Sequence, residues 1–161
     1  MIEHFDTLTE EEFEKLKDAV PLIAVLIAGA DGTFDKKELD WANKVTTIRS
    51  YSMKAEMKAF YQEVGKNFSD KLENYIDSFP VSLADRNKLI SERLEYINPI
   101  LAKLEPAVAY KCYKSFLSFA EHVAKASGGI FGFFSINHQE AKWVKLPMLH
   151  PIAHSNDQEE E

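Results

Sequence analysis

The chain has 161 residues, of which 45% are hydrophobic and 28% are charged, so it is long enough to bury the core of a single domain. Its formal net charge of −7 argues against a nucleic-acid partner, because binding to phosphates requires clustered lysine and arginine side chains. The longest apolar run, residues 20–30, is shorter than the about 20 apolar residues that cross a bilayer, so we expect no membrane insertion.

Helix signals begin near the N-terminus, and no segment has the alternating apolar pattern of a strand. Thr9 and Glu12 form a capping box, which predicts a first helix over residues 10–19. Pro21 is expected to start a second helix over residues 22–29, because a proline at the first helical position loses only an amide that has no partner there. This second helix is apolar on all sides, so we expect other helices to enclose it.

The remaining helices are predicted over residues 35–49, 53–67, 70–79, 83–104, 107–126 and 138–145. Pro80 and Pro106 supply a stop and a start, and the predicted N-caps are Asp35, Ser52, Ser69, Ser82 and Asn137. We expect Pro99 to bend the helix that contains it, since proline lacks an amide donor and clashes with the preceding turn. The predicted fold class is therefore an all-α, compact bundle of about seven helices. We expect a single domain over residues 1–153, followed by a disordered acidic tail over residues 154–161.

The most informative pattern is an apolar helix end, an Asp-Gly turn and a new helix start, in the sequence A-G-A-D-G-T-F-D-K-K-E-L-D-W of residues 28–41. A weaker copy lies in residues 124–143. There, the positions of Phe34, Asp35, Glu38 and Trp41 are matched in order by Ile136, Asn137, Glu140 and Trp143. The two copies predict a duplicated helical hairpin, and thus an internal pseudo-repeat in the bundle.

The acidic turn is a candidate site for a hard cation. When Gly32 is set at the sixth position of the best-known calcium loop, Asp31, Asp35 and Glu38 fall on positions five, nine and twelve. Positions one and three lack side-chain oxygens, which argues against an ordinary EF-hand. The three carboxylates can at best form a weak Ca²⁺ or Mg²⁺ site that carbonyls and waters complete. Alternatively, Asp35 and Glu38 form a capping box that satisfies helix amides without any ion.

Residues 28–39, A-G-A-D-G-T-F-D-K-K-E-L, resemble the tellurite-resistance TerB-like family, whose signature is a helix ending in A-x-A-D-G, an acidic helix start and E-L. The resemblance implies an all-helical domain with an internal repeat, in which clustered acidic residues have been proposed to bind divalent metal. It also implies a link to stress, because such domains occur attached to co-chaperone and membrane-linked stress proteins. Carried over by position, the candidate metal ligands are Asp31, Asp35, Glu38 and, in the second copy, Glu140.

The single cysteine, Cys112, lies in an apolar helical run, where we expect a reduced and buried thiol. No internal disulfide can form, and the N-terminal residues lack the pattern of a secretory signal, so the expected location is cytoplasmic. No motif of phosphate binding, of nucleophilic catalysis or of a metalloprotease is present, so we expect no enzymatic activity.

A glycine-rich segment joins the last two predicted helices and contains Phe131, Phe133 and Phe134. These rings can be buried over the bundle or can form a docking patch.

Two functions follow from the sequence. The first is a non-catalytic, stress-associated interaction module with a protein partner of unknown identity and a weak divalent ion at the acidic turn. The alternative is a carrier of a small apolar ligand, with a cavity between the two repeats.

Overall fold

The computed structural model describes residues 2–30, 34, 36–126 and 138–153, with the backbone alone for residues 138–140. These residues contain helices and no strand, which confirms the all-α class and the compact bundle of about seven helices. One of the helices, α6, is a single turn. In chain order the helices are α1 (Glu10–Ala28), α2 (Lys36–Ser52), α3 (Ala55–Gly65), α4 (Phe68–Ser78), α5 (Leu83–Glu95), α6 (Asn98–Leu101), α7 (Pro106–Lys125) and α8 (His138–Trp143).

α1 begins where the capping box predicts. The Thr9 amide donates to Glu12 Oε1 at 2.9 Å, and the Glu12 amide donates to Thr9 Oγ1 at 3.1 Å. The predicted break at Pro21 is wrong, because α1 continues through this proline to Ala28. All of residues 19–28 are buried, and the apolar area that they remove from water outweighs the about 3 kcal/mol cost of a proline inside a helix.

The prediction of one long helix over residues 83–104 is also wrong. α5 ends at Glu95, and Pro99 lies in the first turn of α6, where its missing amide removes no hydrogen bond. Asn98 at the start of α6 also holds the C-terminal segment. Its Nδ2 donates to the Met148 carbonyl at 3.0 Å, and its Oδ1 accepts from the His150 amide at 2.9 Å.

The serine caps have mixed outcomes. Ser82 does cap α5, where its Oγ accepts from the Asp85 amide at 3.4 Å. The caps predicted for the two preceding helices are wrong, because α3 has Lys54 and α4 has Asn67 at the N-cap, neither with a side-chain capping bond. A serine shortly before an apolar face therefore locates a boundary only to within a few residues.

α1 lies at the centre of the bundle and contacts each of the other seven helices. Its C-terminal half is fully buried, as the all-round apolar pattern predicts. The buried side chains from Phe5 to Leu149 form one contiguous core. None of the helices in the described residues is both long and apolar enough to cross a membrane.

The helix pair α1 and α2 contacts the helix pair α7 and α8 in a similar way from both sides. The two long helices α1 and α7 contact each other, α2 contacts α7, and α8 contacts α1. Trp41 and Trp143 are each partly buried against the core. A duplicated hairpin would produce this pattern of contacts, and residues 127–137, where the second turn is predicted, lie outside the described residues. The predicted tail over residues 154–161 lies outside them as well.

Candidate functional site

The turn between α1 and α2 contains the predicted cation site. Two of its predicted ligands, Asp31 and Asp35, lie outside the described residues, so the structure places only Glu38 of the first copy. Glu38 lies in the first turn of α2 and is 0% exposed. Moving a carboxylate out of water costs free energy unless hydrogen bonds or a cation stabilise it. The groups around Glu38 therefore matter for the stability of this turn.

A buried arginine of α5, Arg86, closes the same turn. Its Nη2 donates to the carbonyl oxygen of Gly29 at 2.7 Å, and its guanidinium carbon lies 4.6 Å from the centre of the Phe34 ring. Burial lowers the pKa of the Arg86 guanidinium. The last carbonyls of a helix have no helical partner, and a cation there also interacts favourably with the helix dipole. Arg86 therefore caps the C-terminus of α1.

Gly29 is required at this position because of space. A Cβ atom built on Gly29 would lie 2.8 Å from Phe34 Cε1, 3.0 Å from Arg86 Nη2 and 3.0 Å from the carbonyl oxygen of Val25. The backbone φ of Gly29 is −102°, which any residue adopts, so a larger side chain is disfavoured here by steric crowding and not by backbone conformation. The turn is thus packed closely around the guanidinium of Arg86.

The described part of this turn offers few ligands to a divalent ion. Hard cations take about six or more oxygen ligands. Glu38 supplies one carboxylate, and the carbonyl of Gly29 already accepts from Arg86. Within the described residues, no group of three histidine, cysteine, aspartate or glutamate residues is placed to hold a metal ion. A site at this turn would therefore need Asp31 and Asp35, with further oxygens from the main chain or water.

The second copy of the turn falls mostly outside the described residues. α8 starts at His138, as predicted, and ends at Trp143, two residues before the predicted end at 145. Glu140 lies within α8, but its side chain is not among those described. Phe131, Phe133 and Phe134 also lie outside the described residues. Their predicted burial or docking role stays a prediction.

A second buried arginine, Arg49 of α2, joins three helices. Its Nη1 donates to Tyr61 Oη at 2.9 Å and to the Ser115 carbonyl at 2.8 Å, and its Nη2 donates to Ser118 Oγ at 2.7 Å. Tyr61 Oη in turn donates to Ser115 Oγ at 3.2 Å. Arg49 is 7% exposed and forms no ion pair with a carboxylate of the described residues. These hydrogen-bond partners are all neutral groups.

This network borders an open cleft of about 490 Å³ between the α2–α3 junction and α7. The polar lining consists of three lysines and three serines: Lys54, Lys111, Lys114, Ser52, Ser115 and Ser118. No acidic side chain of the described residues lines it. The cleft therefore combines positive charge with hydroxyl groups, in a chain that is acidic as a whole.

The burial of Arg49 and Arg86 and the presence of the cleft were not predicted from the sequence. Arg49 continues the buried face formed by Ala42 and Val45, and Arg86 precedes Ile90 at the same spacing on α5. A charged residue that continues the spacing of a buried apolar face could thus have indicated a buried arginine. The cleft had no such signal, because Lys54 lies more than fifty residues before Lys111 and Lys114 and meets them only when α3 packs against α7.

Three comparisons with known proteins give no family assignment. The resemblance to the TerB-like family accordingly rests on the pattern in residues 28–39 and on the helical layout. No protein-family model, no curated protein and no solved structure matches this chain.

Proposed function

We propose that the chain is a non-catalytic, stress-associated helical interaction module of the TerB type, which binds a protein partner and, weakly, a divalent cation at the turn between α1 and α2. The observation that carries the proposal is Glu38, a fully buried carboxylate at the start of α2. The sequence motif around it also contains Asp31 and Asp35, seven and three residues earlier in the chain. Carboxylates that are close in sequence at a helix start are a common source of Ca²⁺ and Mg²⁺ ligands.

The environments of the nucleophilic side chains support a non-catalytic role. Burial raises the pKa of the Cys112 thiol, and a thiol nucleophile must be deprotonated to react. The hydroxyls of Ser115 and Ser118 donate to the main-chain oxygens of Cys112 and Ser115, at 2.7 and 3.1 Å. A serine nucleophile instead donates its proton to a general base. These groups are arranged for packing and helix-surface hydrogen bonds.

Thermal unfolding with Ca²⁺, Mg²⁺, Mn²⁺ or Zn²⁺ tests the ion. A cation that binds only the folded chain raises the Tm by mass action. We expect Ca²⁺ or Mg²⁺ to raise the Tm, and the shift to disappear in the double variant Asp31→Asn/Asp35→Asn and in Glu38→Gln. Asp40→Asn is the matched control for Glu38→Gln, since each removes one negative charge from α2 and Asp40 is exposed. A melting curve that does not respond to any of the four ions would reject the cation site.

Growth under stress tests the association with stress and with a partner. In the source organism, deletion of the gene should reduce survival in tellurite or under oxidative stress, and the intact chain should restore it. A partner should co-purify with the tagged chain in reciprocal experiments, with each of the two proteins tagged in turn. Equal survival of the deletion and parent strains under these conditions would contradict the stress-associated function.

The alternative, a carrier of a small apolar ligand, has one supporting observation. The 490 Å³ cleft has the size of a small-molecule site, and Met53, Met57 and Tyr110 give it an apolar surface. This cleft lies between the α2–α3 junction and α7, whereas Phe131, Phe133 and Phe134 lie outside the described residues. Native mass spectrometry of the purified chain distinguishes the two functions, because a bound lipid-like molecule would favour the carrier.

A further inference from the structure

We propose that the cleft between the α2–α3 junction and α7 binds a small organic phosphate monoester, with the ammonium groups of Lys54 and Lys114 contacting the phosphate. The proposal is independent of the cation turn, which lies at the other end of α2. It depends on the charge of the cleft, on the buried arginine behind it, and on its size and apolar surface.

The first argument is charge. The chain has 26 acidic and 19 basic residues, yet three lysines and no described acidic residue line this cleft. Glu56, a neighbouring carboxylate, accepts from Lys111 Nζ at 2.9 Å. Neither Lys54 nor Lys114 forms an ion pair with a carboxylate of the described residues. Like charges brought together repel one another, and a bound anion removes this repulsion.

The second argument is the buried arginine. Ser115 and Ser118 line the cleft, and both bond directly to the Arg49 guanidinium, through the Ser115 carbonyl and Ser118 Oγ. Arg49 is more than nine-tenths buried, and no described carboxylate balances its charge. A cation in a poorly solvated environment attracts an anion more strongly than a cation in water. Ser115 and Ser118 would be the residues between an anion in the cleft and the guanidinium of Arg49.

The start of α3 adds to this positive potential. Lys54 is the N-cap of this eleven-residue helix, makes no side-chain capping bond, and lines the cleft together with Met57 of the first turn. Helix N-termini carry partial positive charge and unpaired amides, which favour phosphate groups.

Size and surface identify the class of ligand. A volume of about 490 Å³ far exceeds that of an inorganic anion, and Met53, Met57 and Tyr110 can contact an apolar group. The ammonium groups of Lys54 and Lys114, neither of which forms an ion pair with a described carboxylate, suit a group of charge about −2, such as a phosphate monoester at neutral pH. A monocarboxylate would leave one of these positive charges unbalanced.

Isothermal titration calorimetry of the full chain with 1-naphthyl phosphate tests the site. We expect saturable binding that weakens with added salt, and weaker, competing binding of inorganic phosphate. The double variant Lys54→Gln/Lys114→Gln should lose about tenfold or more in affinity, because two charge-assisted hydrogen bonds are removed. The matched control Lys58→Gln/Lys125→Gln makes the same charge change at exposed positions of the same two helices, outside the cleft, and should keep the affinity within about twofold.

Methionine methyl NMR gives a second readout that locates the ligand. The methyl signals of Met53 and Met57 should shift on titration, and that of Met148, at the far C-terminal segment, should not. Absence of saturable binding, equal losses in the two double variants, or shifts that omit both cleft methionines would each overturn the proposal. Binding of 1-naphthoate as tight as that of 1-naphthyl phosphate would overturn the assignment to phosphate monoesters.

Discussion

Arg86 Nη2 on α5 donates a 2.7 Å hydrogen bond to the carbonyl oxygen of Gly29, the C-cap residue of α1. The chain thus supplies a cation of its own at the turn where the sequence pattern predicts a bound metal ion. A guanidinium in this position satisfies a carbonyl that the helix leaves unpaired. It also competes with any divalent ion that would use the same oxygen. The contact ties α5 to the centre of the bundle.

Replacing Arg86 with methionine should lower the free energy of unfolding by about 2–4 kcal/mol, because it removes a charged hydrogen bond and leaves a buried carbonyl unpaired. Urea denaturation measures the change. Lys88→Met is the matched control, since Lys88 is an exposed cation on the same helix and its loss should change the stability by less than about 0.5 kcal/mol. Equal stabilities of the two variants would show that the contact with Gly29 contributes nothing.

The two glycines at helix ends should respond to alanine with opposite signs. Gly29→Ala places a methyl group 2.8 Å from Phe34 Cε1 and should destabilise the fold by about 1–3 kcal/mol. Gly65→Ala meets no atom within 4 Å and should stabilise the fold by about 0.4–1 kcal/mol, because alanine lowers the entropy of the unfolded chain. Thermal unfolding of both variants, compared with the parent chain, measures the two changes. A stabilising Gly29→Ala would disprove the crowding at the turn.

Arg49 and Tyr61 should be energetically coupled. A double-mutant cycle with Arg49→Met and Tyr61→Phe is expected to give a coupling of about 0.5–3 kcal/mol, since the two side chains share a 2.9 Å hydrogen bond and the guanidinium also lies over the ring. Tyr51 is the control, because it is 64% exposed and two residues away from Arg49. The cycle of Arg49→Met with Tyr51→Phe should give no coupling. A coupling that is the same in both cycles would contradict the proposed network.

His122 of α7 should titrate below the ordinary histidine pKa of 6.5. Burial lowers the pKa of His122 most, the charges of Arg49 and Lys125 lower it further, and Glu121 opposes the shift. An NMR titration of the imidazole protons measures this pKa. Arg49→Met and the surface variant Lys125→Gln should each raise it, because each removes a nearby positive charge. If neither substitution moves the midpoint, these charges do not act on His122.

The same shift predicts how stability depends on pH. Since the folded pKa of His122 lies below its unfolded value, the unfolded chain binds this proton more tightly. The contribution of His122 to stability is therefore complete above pH 6.5, and is lost as the pH falls through the folded pKa. The Tm of His122→Gln, measured between pH 5 and pH 7, should depend less on pH than that of the parent chain.

Local sequence was enough to predict features whose interactions are also local. The capping box of Thr9 and Glu12, the serine cap of α5 and the apolar C-terminal half of α1 are all observed. The prediction failed where burial competes with local preference. Pro21 breaks an isolated helix, but α1 passes through it, because every neighbouring residue on that half is buried by other helices.

The candidate turn shows the same limit. Its carboxylates could be named from residues 28–38, because helix-start and turn chemistry act over a few residues. The guanidinium of Arg86, which the structure places against Gly29, could not be predicted in this way, because Arg86 lies 57 residues further along the chain. Only packing of α5 against α1 brings the guanidinium to the turn.

The sequence by itself determined the all-α class, the central position of the apolar half of α1 and most helix starts, since periodicity and capping are properties of neighbouring residues. Only the tertiary structure decided which buried arginine meets which carbonyl, and that Lys54, at the N-cap of α3, lines one cleft with Lys111 and Lys114 of α7. The physical reason is that charge and hydrogen-bond energies depend on distances between residues far apart in sequence, and packing alone sets those distances.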